Sequence, residues 1–252
     1  MAKQAKTRDT SLFLPTTAAE LSARGIGQLD FVYIIGDAYV DHPSFGPAII
    51  SRVLESHGYT VGILSQPDWH SAEAFRRLGR PRLAFLISAG NIDSMVNHYT
   101  SAKKRRSSDA YTPGGEAGKR PDRATIVYAN RAREAYRGVP VILGGIEASL
   151  RRFAHYDYWD DKVRRSILSD SGADLLIYGM GERQIVEIAD ALAGGLPAEQ
   201  ITYVNGTCYM THSLERVYEY ETIESYEAVA RDKNAYAAAF MAQYREQDAI
   251  RG

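Results

Sequence analysis

Short apolar runs and amphipathic stretches alternate along this chain from residue 29 to residue 195. LDFVYIIG (29–36), TVGILS (60–65), RLAFLIS (82–88), VPVILGG (139–145) and DLLIYG (174–179) are continuous apolar runs. Each is rich in β-branched or aromatic residues and bounded by glycine or polar turns, which predicts five buried strands. Between the first two lies FGPAIISRVLESHGY (45–59), where Ile49/Ile50, Val53/Leu54 and His57 recur at helical spacing. Ser44 is placed to cap the start of that helix and Gly58 its end. SAEAFRRLG (71–79), ATIVYANRAREAY (124–136) and GERQIVEIADALAGG (181–195) read as further helices, the last with Ile185, Ile188, Ala189 and Leu192 on one face.

Strands that are apolar throughout, each followed by a helix, belong to a parallel sheet covered on both faces. Right-handed crossovers then lead to an α/β, doubly wound, mainly parallel five-stranded sheet, in flavodoxin-like order. The flanks differ. Residues 1–15 read as a flexible arm, and TTAAELSARG as a short helix ending at Gly25. Past residue 200 the alternation stops, so the chain divides into an arm (1–15), a Rossmann-like domain (16–200) and an extension (201–252). The extension holds an extended segment and then a long C-terminal helix over 224–247, with Val229, Tyr236, Phe240 and Tyr244 on one stripe. KKRRSSDAYTPGGEAGKRPDR (103–123) interrupts the domain with seven basic and three acidic residues. It reads either as a solvated insertion or as a loop that docks an anion or a partner.

Composition narrows the classes. With 30 basic and 31 acidic residues among 252, the chain lacks the clustered cationic charge that nucleic-acid binding rests on. No apolar run approaches the roughly 20 residues of a membrane span. The N-terminus has no signal-peptide core, so a cytoplasmic protein is expected. The single cysteine, Cys208, cannot hold an iron–sulfur cluster or structural zinc alone and reads as a small buried strand residue. The six histidines (42, 57, 70, 98, 155 and 212) show no metal-ligand spacing, and no metal site is expected.

In open parallel sheets ligands bind beyond the carboxyl ends of the strands. The five strand exits are GDAYVDHPSFG, SQPDW, SAGNIDSMVNHYT, GGIEASLRR and YGMGE, and most are richer in polar groups and glycine than the opposite turns, SHGY, LGRPR, RGVP and SGAD. The candidate site residues are therefore Asp37, Asp41 and His42, then Ser88 and Asn91, then Gly144, Gly145, Glu147, Ser149, Arg151 and Arg152, and finally Gly179, Gly181 and Glu182. Asp37, Asp41 and His42 could equally cap the next helix. The glycine pair could serve a tight turn or let a ligand approach the backbone. Arg151 and Arg152 are a solvated face or a phosphate or carboxylate clamp. Tyr156, Tyr158 and Trp159 read as core or interface before ligand-stacking residues. No dinucleotide fingerprint, Walker loop or nucleophile elbow is present.

GDAYVDHPSFG, NIDSMVNHYT, YTPGG with RPDRA, GGIEASLRR with HYDYW, and YGMGE together resemble the N-terminal region of YgiQ-type radical S-adenosylmethionine (radical SAM) proteins, from about residue 13 to the end. The resemblance implies a larger enzyme. In it a radical SAM barrel, with a [4Fe–4S] cluster on a C-x₃-C-x₂-C motif and S-adenosylmethionine, would be the partner of this region. This chain contains no such motif and is not expected to be catalytic alone. PVILGG with Ser149 and ADLLIYGMGE is also similar to the strand exits of cobalamin-binding domains that precede such barrels, which implies a cobalamin-binding-like fold. Met180 departs from that pattern, and its histidine signature is absent, Asp41 and His42 being adjacent. Two roles follow as expectations: an accessory domain with a cofactor or substrate pocket at the strand exits, cobalamin included, or a docking domain with no ligand of its own.

Overall fold

The computed structural model describes residues 13–215 and 217–246. Most of the 1–15 arm lies outside these residues, but Leu14 is buried and the Pro15 carbonyl accepts a hydrogen bond from Ile63 N at 2.9 Å. A capping box between Thr17 and Glu20 starts α1 (Ala18–Ala23). The alternation then runs β1 (Phe31–Ile35), α2 (Gly46–Ser56), β2 (Val61–Ser65), β3 (Ala84–Ser88), α3 (Ser94–His98), α4 (Ala124–Ala135), β4 (Val141–Leu143) and α5 (Gly145–Leu150). It continues through a hairpin of β5 (His155–Asp157) and β6 (Lys162–Arg164), then α6 (Ile167–Ser171), β7 (Leu175–Ile177), α7 (Glu182–Ala193) and β8 (Thr207–Tyr209). Two helices close the described chain, α8 (Tyr226–Arg231) and α9 (Lys233–Glu246).

The five predicted strands are β1, β2, β3, β4 and β7, all parallel, in the order β2-β1-β3-β4-β7. That is the doubly wound, flavodoxin-like order. A sixth strand, β8, joins antiparallel at the β7 edge, with Leu176 opposite Cys208. Period-two alternation divides the sheet between two cores. Val32, Ile34, Phe85, Ile87, Val141, Leu143 and Leu176 pack with α4 and α6 on one face. Tyr33, Ile35, Leu86, Ile142, Leu175 and Ile177 pack with α2 and α7 on the other.

Several local expectations change. Ser44 does not cap α2: the N-cap is Phe45, and a proline in the first turn supplies the preset φ instead. The 71–79 segment forms only a 3-10 turn over Glu73–Arg76, too short for the α-helix its spacing predicts. Gly58 follows the α2 C-cap His57 with φ +85°, the left-handed geometry expected of it. The 224–247 helix is broken at Asp232, whose extended backbone ends α8 and whose carboxylate accepts from Asn234 N at 2.8 Å at the start of α9. Residues 145–150 form a helix, and the aromatic stretch after them forms the β5–β6 hairpin, neither of which the alternation predicts.

The largest change concerns 103–123. It is not a solvated excursion throughout, because Asp109, Thr112 and Arg120 are buried. Arg120 is the reason. Its guanidinium pairs with Asp37 at 2.7 Å and Asp109 at 3.0 Å and donates to the Ala89 carbonyl at 2.9 Å. Two more bonds stitch this strap to the sheet, Ala38 N to Tyr111 O at 2.8 Å and Gln66 Nε2 to Thr112 Oγ1 at 2.7 Å.

Candidate functional site

A cleft of about 310 Å³ opens where β1, β3, β4 and β7 end, between the first turns of α2 and α7. Its floor is apolar: Leu86, Ile142, Ile177, Ile50 and Ile185, with Tyr33 the one polar-tipped side chain among them. Of the candidate residues, Ser88, Asn91, Gly144, Gly145, Gly179, Gly181 and Glu182 line it. Three helices (α2, α5 and α7) begin on its rim, and a helix start presents N–H groups without intrahelical partners.

The polar contacts on offer are few. Ser88 Oγ is buried without a hydrogen bond of good geometry. The Tyr33 hydroxyl is close enough to feel it, but burial dominates and pushes Tyr33 up to about 12, so it remains a neutral donor and acceptor at physiological pH. Asn91 is held in place by its own N–H, which donates to Asp37 Oδ2 at 2.6 Å. That contact requires a glycine before it: at Gly90, with φ +115°, a Cβ would lie 2.1 Å from Asp37 Oδ1. Gly36 is as constrained, since its Cβ would meet the Ala89 carbonyl oxygen at 2.1 Å.

The glycine pair has two different reasons. Gly145 adopts φ +81°, and a Cβ there would come within 3.1 Å of Ser88 Cβ. Gly144 is extended, with only the Ile177 carbonyl as near as 4.0 Å to an added Cβ. A side chain at 145 is therefore strained, whereas one at 144 would grow into free space beside the cleft.

The remaining candidates do not line the cleft, and each has a partner that explains why. Asp37 is committed to Arg120; burial pushes its carboxyl up while the guanidinium pulls the other way. Asp41 pairs with Arg52 on α2. His42 is exposed, and its Nδ1 accepts from Ser44 N at 3.1 Å. Glu147 is buried between two helix starts, accepting from Ser94 N at 2.8 Å and Thr125 N at 2.9 Å, which places negative charge at two positive helix ends. Ser149 Oγ donates to Gly145 O at 2.9 Å and accepts from Gly179 N at 3.2 Å, so it ties α5 to the β7 exit.

The two arginines part company. Arg151 caps the end of α5, is buried, and pairs with Asp93, which itself caps α3. Burial brings Arg151 down to about 10, still protonated at neutral pH. It offers no free charge to the cleft. Arg152 lies half-buried over the Tyr178 ring, 4.9 Å from its centroid, and also outside the cleft. The cleft is thus far less cationic than the exits suggest. The residues that sequence reasoning misses are Tyr33, Pro47, Ile50, Ile146 and Met180. Tyr33 was findable: it pairs with Leu86 across the strands, two residues behind Ser88 and on the same face.

The sequence matches the Radical SAM N-terminal family over residues 13–252. A UPF0313 protein of Clostridium perfringens is 60% identical over 241 residues, covering 95% of this chain and 36% of that protein. A UPF0313 protein of Clostridium botulinum is 57% identical over 240 residues, covering 95% and 38%. The chain spans little more than a third of the length of these curated relatives. Among solved structures it is similar to the radical S-adenosylmethionine methyltransferase TsrM from Kitasatospora setae. The TM-score is 0.48 at 17% identity, over 73% of this chain and 29% of TsrM. With the family match running from residue 13 to residue 252, the chain belongs to the Radical SAM N-terminal family.

Proposed function

We propose that this region is an accessory domain of a radical SAM enzyme and that the strand-exit cleft receives the buried, uncharged part of a ligand. One observation carries this reading. The cleft has an apolar floor whose polar groups are neutral, Tyr33 and Ser88 side by side, while the charges nearby are neutralised within the protein. Such a lining favours an uncharged ligand part, because a charge buried there would find no counter-charge. Phosphate recognition, one reading of the exit arginines, is not favoured because Arg151 is already paired.

Cobalamin is the cofactor that the resemblance to cobalamin-binding domains suggests. The residues present fit it in the apolar cleft and the close backbone at Gly144 and Gly145. None of the residues lining the cleft is a histidine, so this chain would hold cobalamin without ligating cobalt. The [4Fe–4S] cluster and S-adenosylmethionine belong, in this proposal, to a barrel elsewhere in the full-length protein. Cys208 is a poor cluster ligand: burial pushes its thiol up to about 11.

The rim favours a second role for the same face. Val40, Val96, Ile146, Leu150 and Met180, all from strand exits, are 42–85% exposed. Ile146 and Met180 line the cleft, and exposed apolar groups on the strand exits suit a docking surface, here for the barrel.

Absorbance titration of hydroxocobalamin into the protein tests the ligand role, with Gly144→Leu as the blocking variant. Position 144 tolerates a side chain conformationally, so the variant should fold and lose saturable binding. Failure of the wild type to bind hydroxocobalamin, with and without the barrel, would leave only the docking role.

A further inference from the structure

A second groove, of about 190 Å³, shares no lining residue with the strand-exit cleft and lies where the end of α5 and the start of the hairpin face α8 and α9. Arg152, His155, Val229, Tyr236, Phe240 and Tyr244 are among the residues that line it. Arg152 makes no ion pair with any described residue. Among the described residues its guanidinium makes one hydrogen bond, from Nη1 to the Ser149 carbonyl at 2.7 Å, and lies over the Phe153 and Tyr178 rings, leaving most of its five N–H groups unused. A half-buried guanidinium without a carboxylate is a standing attraction for an anion.

His155 adds a directional demand. Its Nδ1 lies 3.1 Å from the Phe153 carbonyl, which can only accept, so Nδ1 carries the proton. Nε2 is then a bare lone pair, and it is buried with no partner. Burial also lowers the pKa of the ring, which keeps it neutral. A ligand that satisfies this nitrogen must donate a hydrogen bond. The opposite wall is aromatic, with the Phe240 and Tyr244 rings stacked at 6.4 Å between centroids and both more than half exposed. A cavity of about 150 Å³ suffices for one benzene ring, so this groove has the capacity for a single substituted ring.

We infer that this groove is a second binding site, for a small flat organic anion that also carries a hydroxyl or N–H donor, the chemistry of a hydroxybenzoate. The anion meets Arg152, the donor meets His155 Nε2, and the ring lies against Tyr236 and Phe240. The inference does not rest on the cofactor reading of the strand-exit cleft.

Calorimetric titration of 4-hydroxybenzoate, benzoate and inorganic phosphate into the protein tests it. 4-Hydroxybenzoate should bind saturably, more tightly than benzoate and much more tightly than phosphate. Arg152→Gln should weaken it at least tenfold, and His155→Phe should erase the preference over benzoate. Phe240→Ala changes an exposed ring, so it should weaken binding several-fold even if the Arg152 variant proves unstable. Gly144→Leu, in the other cleft, should change nothing. The proposal is overturned if the wild type shows no saturation, if phosphate binds as well, or if Arg152→Gln and Phe240→Ala both bind normally. Loss of binding in Gly144→Leu would also overturn it, by placing the ligand in the strand-exit cleft.

Discussion

Asp157 is almost fully buried at the end of β5, yet burial does not govern its ionisation. Burial alone would raise its pKa. Hydrogen bonds and charge from Arg123, the Asp160 N–H and Arg164 outweigh this and hold the carboxyl at about 2. Because the folded value lies below the unfolded one, near 3.8, the stabilisation is fully present above pH 4. It is lost as the pH falls towards 2. Relative to Asp157→Asn, the wild type should be more stable at pH 7 by on the order of 1–2 kcal/mol, and urea unfolding should show that margin vanish between pH 4 and pH 2. Arg120 sets a harsher condition. Arg120→Met would strand Asp37 and Asp109 as buried, unpaired carboxylates, with an expected loss of about 3–5 kcal/mol in the same assay. A loss under about 1 kcal/mol would mean that water reaches the strap. At this scale the residue types at the exits were legible, but their pairing was not. Arg151 and Arg152 are neighbours in sequence, and only the end of α5 between them sends one to Asp93 and the other to Tyr178.

Elements with a sustained period were the easiest to read, and those built from side-chain bonds the hardest. The five parallel strands announce themselves because they are apolar on both faces. The α5 helix does not, since six residues beginning with glycine carry no helical period. The break at Asp232 had a signal, an aspartate before Lys-Asn that can cap a new helix, but the aromatic stripe running across it concealed the stop. The two halves also differ in anchorage. Across its 14 residues α9 buries only Ala239, whereas the 12 residues of α4 bury six side chains between sheet and strap. Hydrogen exchange should therefore find α9 amides opening far more cheaply than those of α4, whose protection should approach the global value. Equal protection in the two helices would show that α9 is held by more than its contacts with the domain.

For the molecule as a whole, strand order and cleft position followed from the alternation, because a parallel sheet with right-handed crossovers leaves few other solutions. The electrostatic character of the cleft did not follow. Its charges are cancelled by residues 50 or more positions away, such as Asp93 for Arg151 and Arg120 for Asp37, which no local pattern reveals. The last strand changes how the sheet meets its surroundings. Without β8, the amides and carbonyls along Leu175–Ile177 would stand as an open template for a strand of another molecule. β8 runs antiparallel there and ends after three residues, and at the far edge the Pro15 carbonyl occupies Ile63 N. In a piece of this protein ending at residue 200, the β7 edge that β8 now covers would be open to a strand of another molecule.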